Sequence, residues 1–565
     1  MFAQTQIGSD INGENAVDES GYSVSISSDG TIVAIGAINN DENGQNSGHV
    51  RVYQESGGVW TQIGQDIDGE VQCDQSGFCV SLSNLGHRVA ISSVNNDENG
   101  INAGHVRVYE NINGIWSQVG QDIDGDAAFD RFGWSISLSG PGDILAIGAP
   151  FNDGNGPEAG HVKVYEDING VWTQVGQDIE GEAPGDSFGR AVYLSEQGDR
   201  VAIGGPTNDG SALNAGHVRI YENINGVWTQ IGQDIDGDAQ FDLFGFSVSL
   251  SSLGDRVAIG TPFNDAIGNL AGQVKVYEYI NGVWSQIGQD INGEAAEDQS
   301  GWSISMSNAG NRVAIGAPYN DGNLTSTGHA RVYEDLNGVW TQVDNDIDGE
   351  AINDELGFSV SLSDNGNRLA IGAPLNDGSN EFNSGITRIF AMNSSLPVEL
   401  LTFTARPIND NIHLEWETAS ELNNEGFYVQ KSADGNDWKN LTFISGHHTT
   451  ISKKSYDFID RDVLSGPNYY RLKQVDFDGK FDFSNVVIVD MSDRNSSIML
   501  FPNPVSEELF ISTTYDVDVD IYNTLGQKIN CLQISGEKSF DMSNLRAGVY
   551  VLQFSNGIVK QVIKE

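Results

Sequence analysis

Apolar and polar positions alternate along this chain in short bursts, and the bursts come in fours. Starting at Phe132, FGWSISLS alternates large apolar residues with serine, DILAIGAP is apolar and small, and GHVKVYE and VWTQVG alternate again. Period two over a few residues, broken by Gly, Asn and Asp, predicts β-strands. An Asn-Gly turn between the third and fourth, as in Glu222 to Trp228, predicts a tight hairpin. The block then recurs: Trp60, Trp116, Trp172, Trp228, Trp284 and Trp340 are spaced by 56 residues. The glycine opening the first strand returns at Gly21, Gly77, Gly133, Gly189, Gly245, Gly301 and Gly357.

Four antiparallel strands per unit make one propeller blade, and seven copies predict seven blades. The seventh unit ends near Met392 without a tryptophan strand, while Thr5-Gln6-Ile7-Gly8 matches Thr61-Gln62-Ile63-Gly64 one period on. The two ends should therefore share a blade and leave no exposed edge. After Leu396 the period stops. Two further stretches of strands and turns predict small β-sandwiches. The expected architecture is all-β: a seven-bladed β-propeller over 1–396, then sandwiches over 397–494 and 495–565. Trp416 and Trp438 are candidate core residues of the first sandwich, and Tyr469 or Tyr470 is expected to bond back to backbone.

Charge narrows the partners. Up to residue 396 there are 14 Lys and Arg against 55 Asp and Glu, most of the net −50 of the whole chain. Nucleic acid and anionic membrane surfaces, which require an extended basic footprint, are therefore poor partners of the repeats. No apolar run approaches the roughly 18–20 residues that span a bilayer. Cys73, Cys79 and Cys531 form no disulfide framework; two unpaired substitutions are expected at Cys73 and Cys79, with a local disulfide as the alternative. A monomer is expected.

The acids keep a fixed phase. Asp97, Asp153, Asp209, Asp265 and Asp321 lie between second and third strands; Asp122 with Asp124, and Asp234 with Asp236, open the connection to the next unit. A meander puts both loop types at one end of the disc. Loops on a rigid scaffold are where binding groups sit, so these aspartates are candidate ligand or cation residues, with calcium as the candidate ion. The alternative is that each Asp caps backbone amides in its own turn. His49, His105, His161, His217 and His329 start the third strands, with Gln273 in the fifth copy; equivalent positions on separate blades are too far apart to share a metal, so hydrogen-bonding roles are expected. Departures from the repeat, such as Gly189 to Tyr193 and Ser92 to Val94, look scattered, and no catalytic constellation is visible.

Three resemblances follow from these motifs. The order DxFGxSVSLS, RVAIGAPxND, GHVRVYE, with Phe132-Gly133 and Gly148-Ala149-Pro150, resembles the FG-GAP repeat of integrin alpha subunits. That likeness implies an extracellular propeller. The calcium loop of such propellers lies between first and second strands, where this chain has SGPGD or SSLGDR without the spaced carboxylates calcium needs. Residues 400–490, with NYYRLKQVDFDGK, resemble a fibronectin type III-like module of Bacteroidetes surface proteins. The end of the chain resembles the type A C-terminal sorting domain of the type IX secretion system: Pro502, Asn503 and Pro504 open it, Gly526 marks a turn, Gly548 and Tyr550 begin a strand, and Lys560 to Lys564 form a basic end.

The sorting resemblance implies the type IX secretion machinery as a partner and a secreted or outer-surface location. It also implies an N-terminal export signal, which Met1-Phe2-Ala3 does not supply and a longer start would. The first functional expectation is a non-catalytic adhesion or binding protein whose propeller engages a glycan, matrix or protein ligand. The alternative is a propeller hydrolase or lyase acting on extracellular polysaccharide, which would need a non-repeating polar cluster; a structural surface-layer component is a third possibility.

Overall fold

The computed structural model describes residues 4–322, 325–336, 338–378, 382–392, 400–408, 411–419, 421–450, 453–476, 481–491, 498–523 and 525–564. The chain falls into two compact units, Met1–Ser394 and Ser395–Glu565. Every regular element among the described residues is a strand. The expected linker at Asn393 to Pro397 lies outside them.

Among the described residues, the first unit contains seven sheets of one pattern. In the third, Ser135–Leu138, Ile144–Ala149, His161–Asp167 and Trp172–Gln174 follow one another as antiparallel neighbours. The alternation read from the sequence sets the faces. Ala146, Val162 and Val164 on one side of this sheet meet Val192, Leu194, Ile203 and Trp228 of the next in a single core. Small residues let the sheets approach: a Cβ on Gly148 would lie 2.1 Å from the Gly189 carbonyl oxygen of the neighbouring sheet. The chain start joins its end as the pattern predicts, with Thr5 opposite Ala391 and Gln6 opposite Phe390.

The tryptophans clamp each sheet to the one before. Trp116 Nε1 donates to the Ile63 carbonyl at 2.8 Å, Trp172 to Val119 at 2.9 Å and Trp228 to Val175 at 2.9 Å. This contact explains a feature the strand pattern does not predict. The fourth strand breaks after Gln62 and resumes as Ile67–Asp68, which pairs with the start of the third strand. Gly64 sits at the break with φ +80°, and a Cβ there would strike the Trp116 ring at 2.6 Å. In the sixth copy Asp344 replaces this glycine; the next sheet has no tryptophan, and the fourth strand runs unbroken over Trp340–Asp348.

In the second unit, Phe403 and Trp416 of one sheet pack against Phe427, Val429 and Tyr470 of another. Trp416 is buried, but Trp438 is not a core residue: it is half-buried, with the Arg471 guanidinium 4.2 Å from its ring centre. Tyr470 donates its hydroxyl to the Asp460 carboxylate at 2.6 Å, not to backbone as expected. The final stretch pairs Ile498–Phe501, Glu508–Thr513 and Glu537–Asp541 in one sheet and four strands ending at Val559–Lys564 in another, around Val519, Ile521 and Leu552. There a backbone-bonding tyrosine does occur: Tyr550 donates to the Arg546 carbonyl at 2.7 Å. Asn503 holds the Pro502–Pro504 segment to the last strand, accepting from the Ile563 N–H at 2.8 Å. All three cysteines are free thiols.

Candidate functional site

The second-to-third strand loops bring the first set of predicted aspartates to one end of the propeller but not to one another. Each closes its own loop. The carboxylates of Asp97, Asp153, Asp209, Asp265 and Asp321 accept the backbone N–H five residues on, at 2.7–3.0 Å. That residue has positive φ in every case, 46–53°, so the aspartate stabilises a tight left-handed turn.

The second set stands where the connection to the next sheet opens, in or beside a short extra strand. Asp122 and Asp234 sit at the break of the fourth strand, and Asp124 and Asp236 on its short continuation, opposite His105 and His217. Arg107 holds Asp122 through two hydrogen bonds, at 3.0 and 2.6 Å, which keeps this carboxyl below its ordinary range. Arg219 donates to Asp234 at 2.8 Å.

Sequence spacing weighs histidine only against histidine; in the fold each finds acids instead. Glu70, Glu98, His105 and Asp122 bring ligand atoms within 4.8 Å of one another, as do Glu14, Glu42, His49 and Asp66. Smaller sets surround His161, His217 and His329. The signal in the chain was a histidine followed seventeen residues later by aspartate, in five copies. Every one of these histidines has a buried ring nitrogen without a hydrogen-bond partner. Burial pushes His105 and His217 down to about 4, so both are neutral at pH 7. The donor set suits a divalent cation, yet a basic side chain already engages the same carboxylates: Arg51, Arg107, Lys163, Arg219 or Arg331. A metal here would have to displace it. In the fifth copy Gln273 donates to Asn292 at 2.8 Å and needs no ion.

The apparently scattered departures converge on the axis. At the loop end, the residue after each opening glycine points inward, giving Tyr22, Phe78, Trp134, Arg190, Phe246, Trp302 and Phe358. Successive ring centres lie 4.8–5.7 Å apart from Phe246 through Trp302, Phe358, Tyr22 and Phe78 to Trp134. The Arg190 guanidinium bridges the remaining gap, 5.1 Å from the Trp134 centre and 4.2 Å from that of Phe246.

The hairpin end is built from backbone. Ser28, Asn84, Gly140, Glu196, Ser252, Asn308 and Asp364 each donate an N–H to the next carbonyl, and Asp364 donates back to Ser28, a cycle at 2.8–3.1 Å. Glu196 lies across it, accepting from Asn84 at 3.1 Å and Asn308 at 3.2 Å. Both its oxygens are engaged, which makes it a strap and not a free base.

A cleft of about 850 Å³ also opens at the loop end, with Phe241, Leu243, Phe263 and Leu270 among its lining residues and Asp265 beside them. Its Phe263 packs edge-on against Phe246 of the axial ring, 5.9 Å between centres.

Residues 12–53 and 116–165 match the FG-GAP repeat family, and residues 499–565 match the secretion system C-terminal sorting domain family. The chain is thus an all-β propeller protein with FG-GAP repeats. It carries a type IX secretion sorting domain and is exported by that system to the cell surface or beyond. No curated protein matches it. Among solved structures, Raptor from Chaetomium thermophilum is 10% identical with a TM-score of 0.43, covering 70% of this chain and 29% of that one. AofleA from Arthrobotrys oligospora is 11% identical, TM-score 0.37, covering 60% and 89%. The β-propeller domain of the Trilobed protease from Pyrococcus furiosus is 12% identical, TM-score 0.33, covering 64% and 96%. None of these likenesses bears on function.

Proposed function

We propose that the exported protein is a non-catalytic binding protein, with residues 1–396 as a closed, seven-bladed ligand platform and residues 397–494, a fibronectin type III-like module, as its spacer. The observation that carries this reading is the cleft beside Phe241 and Phe263. Its volume of about 850 Å³ is in the range of small-ligand sites, and its walls combine apolar side chains with polar ones, among them Asp238, Asp242, Asp265 and Asp290. Phe241 stays 50% exposed, an arrangement that folding alone does not reward. The ligand classes it suits are a glycan, a matrix component or a protein segment. An array of neutral and acidic glycans and matrix proteins, probed with the full chain, tests this: specific binding weakened by Phe241→Ala supports it, and no binding to any class overturns it.

One observation favours the alternative, a hydrolase or lyase acting on polysaccharide. Burial, with Glu19 beside it, pushes Glu355 up to about 7, the poise of a general acid or base. Turnover of a polysaccharide, abolished by Glu355→Gln, would establish that reading in place of the first.

A further inference from the structure

At six of the seven positions around the axial mouth the repeat supplies an aromatic ring, and at the seventh it supplies Arg190. Its planar guanidinium stacks on Trp134 and Phe246. No carboxylate and no hydrogen-bond acceptor is paired with it among the described residues; the titratable groups nearest in influence are Tyr22 and Cys79. Burial pushes its pKa down to about 10, so it stays charged at neutral pH. Arg190 is half-buried, and a cation held by ring faces keeps its planar fork of N–H donors for a partner that completes it. At the same end Arg51, Arg107 and Arg219 have carboxylate partners, whereas Arg131, like Arg190, lies over the Trp134 ring, 5.6 Å from its centre.

The rest of the mouth narrows what that partner can be. The rings are half-buried, so each leaves part of its surface open. Glu19 and Glu355 stand in the turns that carry Tyr22 and Phe358, across the ring of seven from Arg190 and at the repeat position of Arg131, whose guanidinium covers Trp134; the Glu19 carboxylate also accepts from Asn39. An occupant therefore meets a cation on one side, acceptors on the other and flat apolar walls between. A simple inorganic anion satisfies only the first. A sugar ring with one anionic substituent satisfies all three: its anion pairs with a planar fork of N–H donors, its hydroxyls donate to the glutamates, and its C–H faces lie on the aromatic rings.

We infer that the loop end of the axis is a binding site for an anionic pyranose, a sugar ring bearing a carboxylate or a sulfate. Arg190 takes the anionic group, and Trp134, Phe246 and Trp302 take the ring. The inference rests on the ligand-platform reading and names the class of ligand for a second site on that platform, apart from the cleft beside Phe241. Arg190 is the specificity-determining residue: with a seventh aromatic there, the mouth would favour neutral sugars.

The test is calorimetry on the full chain, with quenching of tryptophan fluorescence as a second readout because Trp134 and Trp302 line the mouth. The probes are glucuronate and galacturonate oligosaccharides, sulfated galactose oligosaccharides, and the neutral counterparts of each. Binding of at least one anionic set is expected, with neutral sugars weaker by about 10- to 100-fold, as loss of a charge-assisted pair implies. Arg190→Gln should lose the same factor while the thermal midpoint holds. Arg190→Lys, which keeps the charge without the planar fork, should weaken binding to a smaller extent and covers the case in which the glutamine variant fails to fold. Equal affinity for neutral and anionic sugars, or anionic binding unchanged in both variants, overturns the inference. If the array finds a ligand sensitive to Phe241→Ala but no acidic sugar binds, the inference fails alone and the platform reading survives. The carboxylated and sulfated arms separate the two sources of the anion.

Discussion

The two ends of the propeller axis are made of different material. The hairpin end is closed by seven backbone hydrogen bonds, each between equivalent positions of successive repeats. The loop end is closed by side chains, six alike in kind and one not. Backbone bonding is indifferent to which residue occupies the turn, so Ser28, Asn84, Gly140 and Glu196 serve equally. Side-chain contact has no such indifference. A departure at the loop end alters what the mouth can hold, whereas one at the hairpin end is absorbed. Glu196 shows the absorption: it enters the cycle through its backbone and adds a strap through its carboxylate.

The largest effect should come from breaking the backbone cycle. Gly140 donates its N–H to the Glu196 carbonyl at 2.8 Å, and a Cβ on it would lie 2.7 Å from Asn84 Nδ2. Gly140→Pro removes the donor, strands the acceptor and adds the clash, for about 2–4 kcal/mol of lost stability in denaturant unfolding. Arg190→Phe at the other end should change stability by about 1 kcal/mol at most, in either direction. Equal losses from both would erase the distinction between a structural end and a functional one.

Acid should strike the loop end next. His105 and His217, held neutral by burial at about 4 against 6.5 when free, take up protons more readily in the unfolded chain. Unfolding therefore binds protons between those values, and stability is full above about pH 6.5 and declines as pH falls toward 4. His105→Gln and His217→Gln, copying the residue at Gln273, should flatten the decline in thermal midpoint over that window. A profile unchanged by both substitutions would mean that the buried rings do not govern it.

Much of the fold was legible because its signals are local. Period two in Val162 and Val164, the Asn-Gly hairpins and the spacing of the tryptophans each report on a few neighbouring residues. The join between Thr5-Gln6 and Phe390-Ala391 was legible too, since an unpartnered strand copy at each end implies a match. What escaped involves contacts between copies. Gly64 bends its strand because Trp116 of the next repeat lies against it, and no window around Gly64 contains that tryptophan. Arg190 looked like a bland departure because its neighbours in space are Trp134 and Phe246, each 56 residues away. The acids around His105 escaped for the same reason: Glu70 belongs to the preceding connection. In the second unit, Trp438 was misplaced because hydrophobicity alone does not show that an arginine will cover it.

The smallest effect concerns the aspartates of the loops, where the same end of the disc offers a repeated feature for comparison with Arg190. Asp153 accepts the Glu158 N–H at 2.9 Å and is otherwise open to solvent. Asparagine presents a carbonyl oxygen at the same place, so Asp153→Asn keeps the turn and should cost less than about 0.5 kcal/mol. The carboxylates nearest a possible ion, by contrast, are already held by Arg107 and its equivalents. Thermal midpoints of the wild type and of Asp153→Asn should therefore coincide with each other, and neither should move between millimolar calcium and chelator. A calcium-dependent rise in the wild type that the variant lacks would make Asp153 an ion ligand and return function to the repeated acids. Coincident midpoints would leave the unrepeated arginine as the feature that sets the loop end apart.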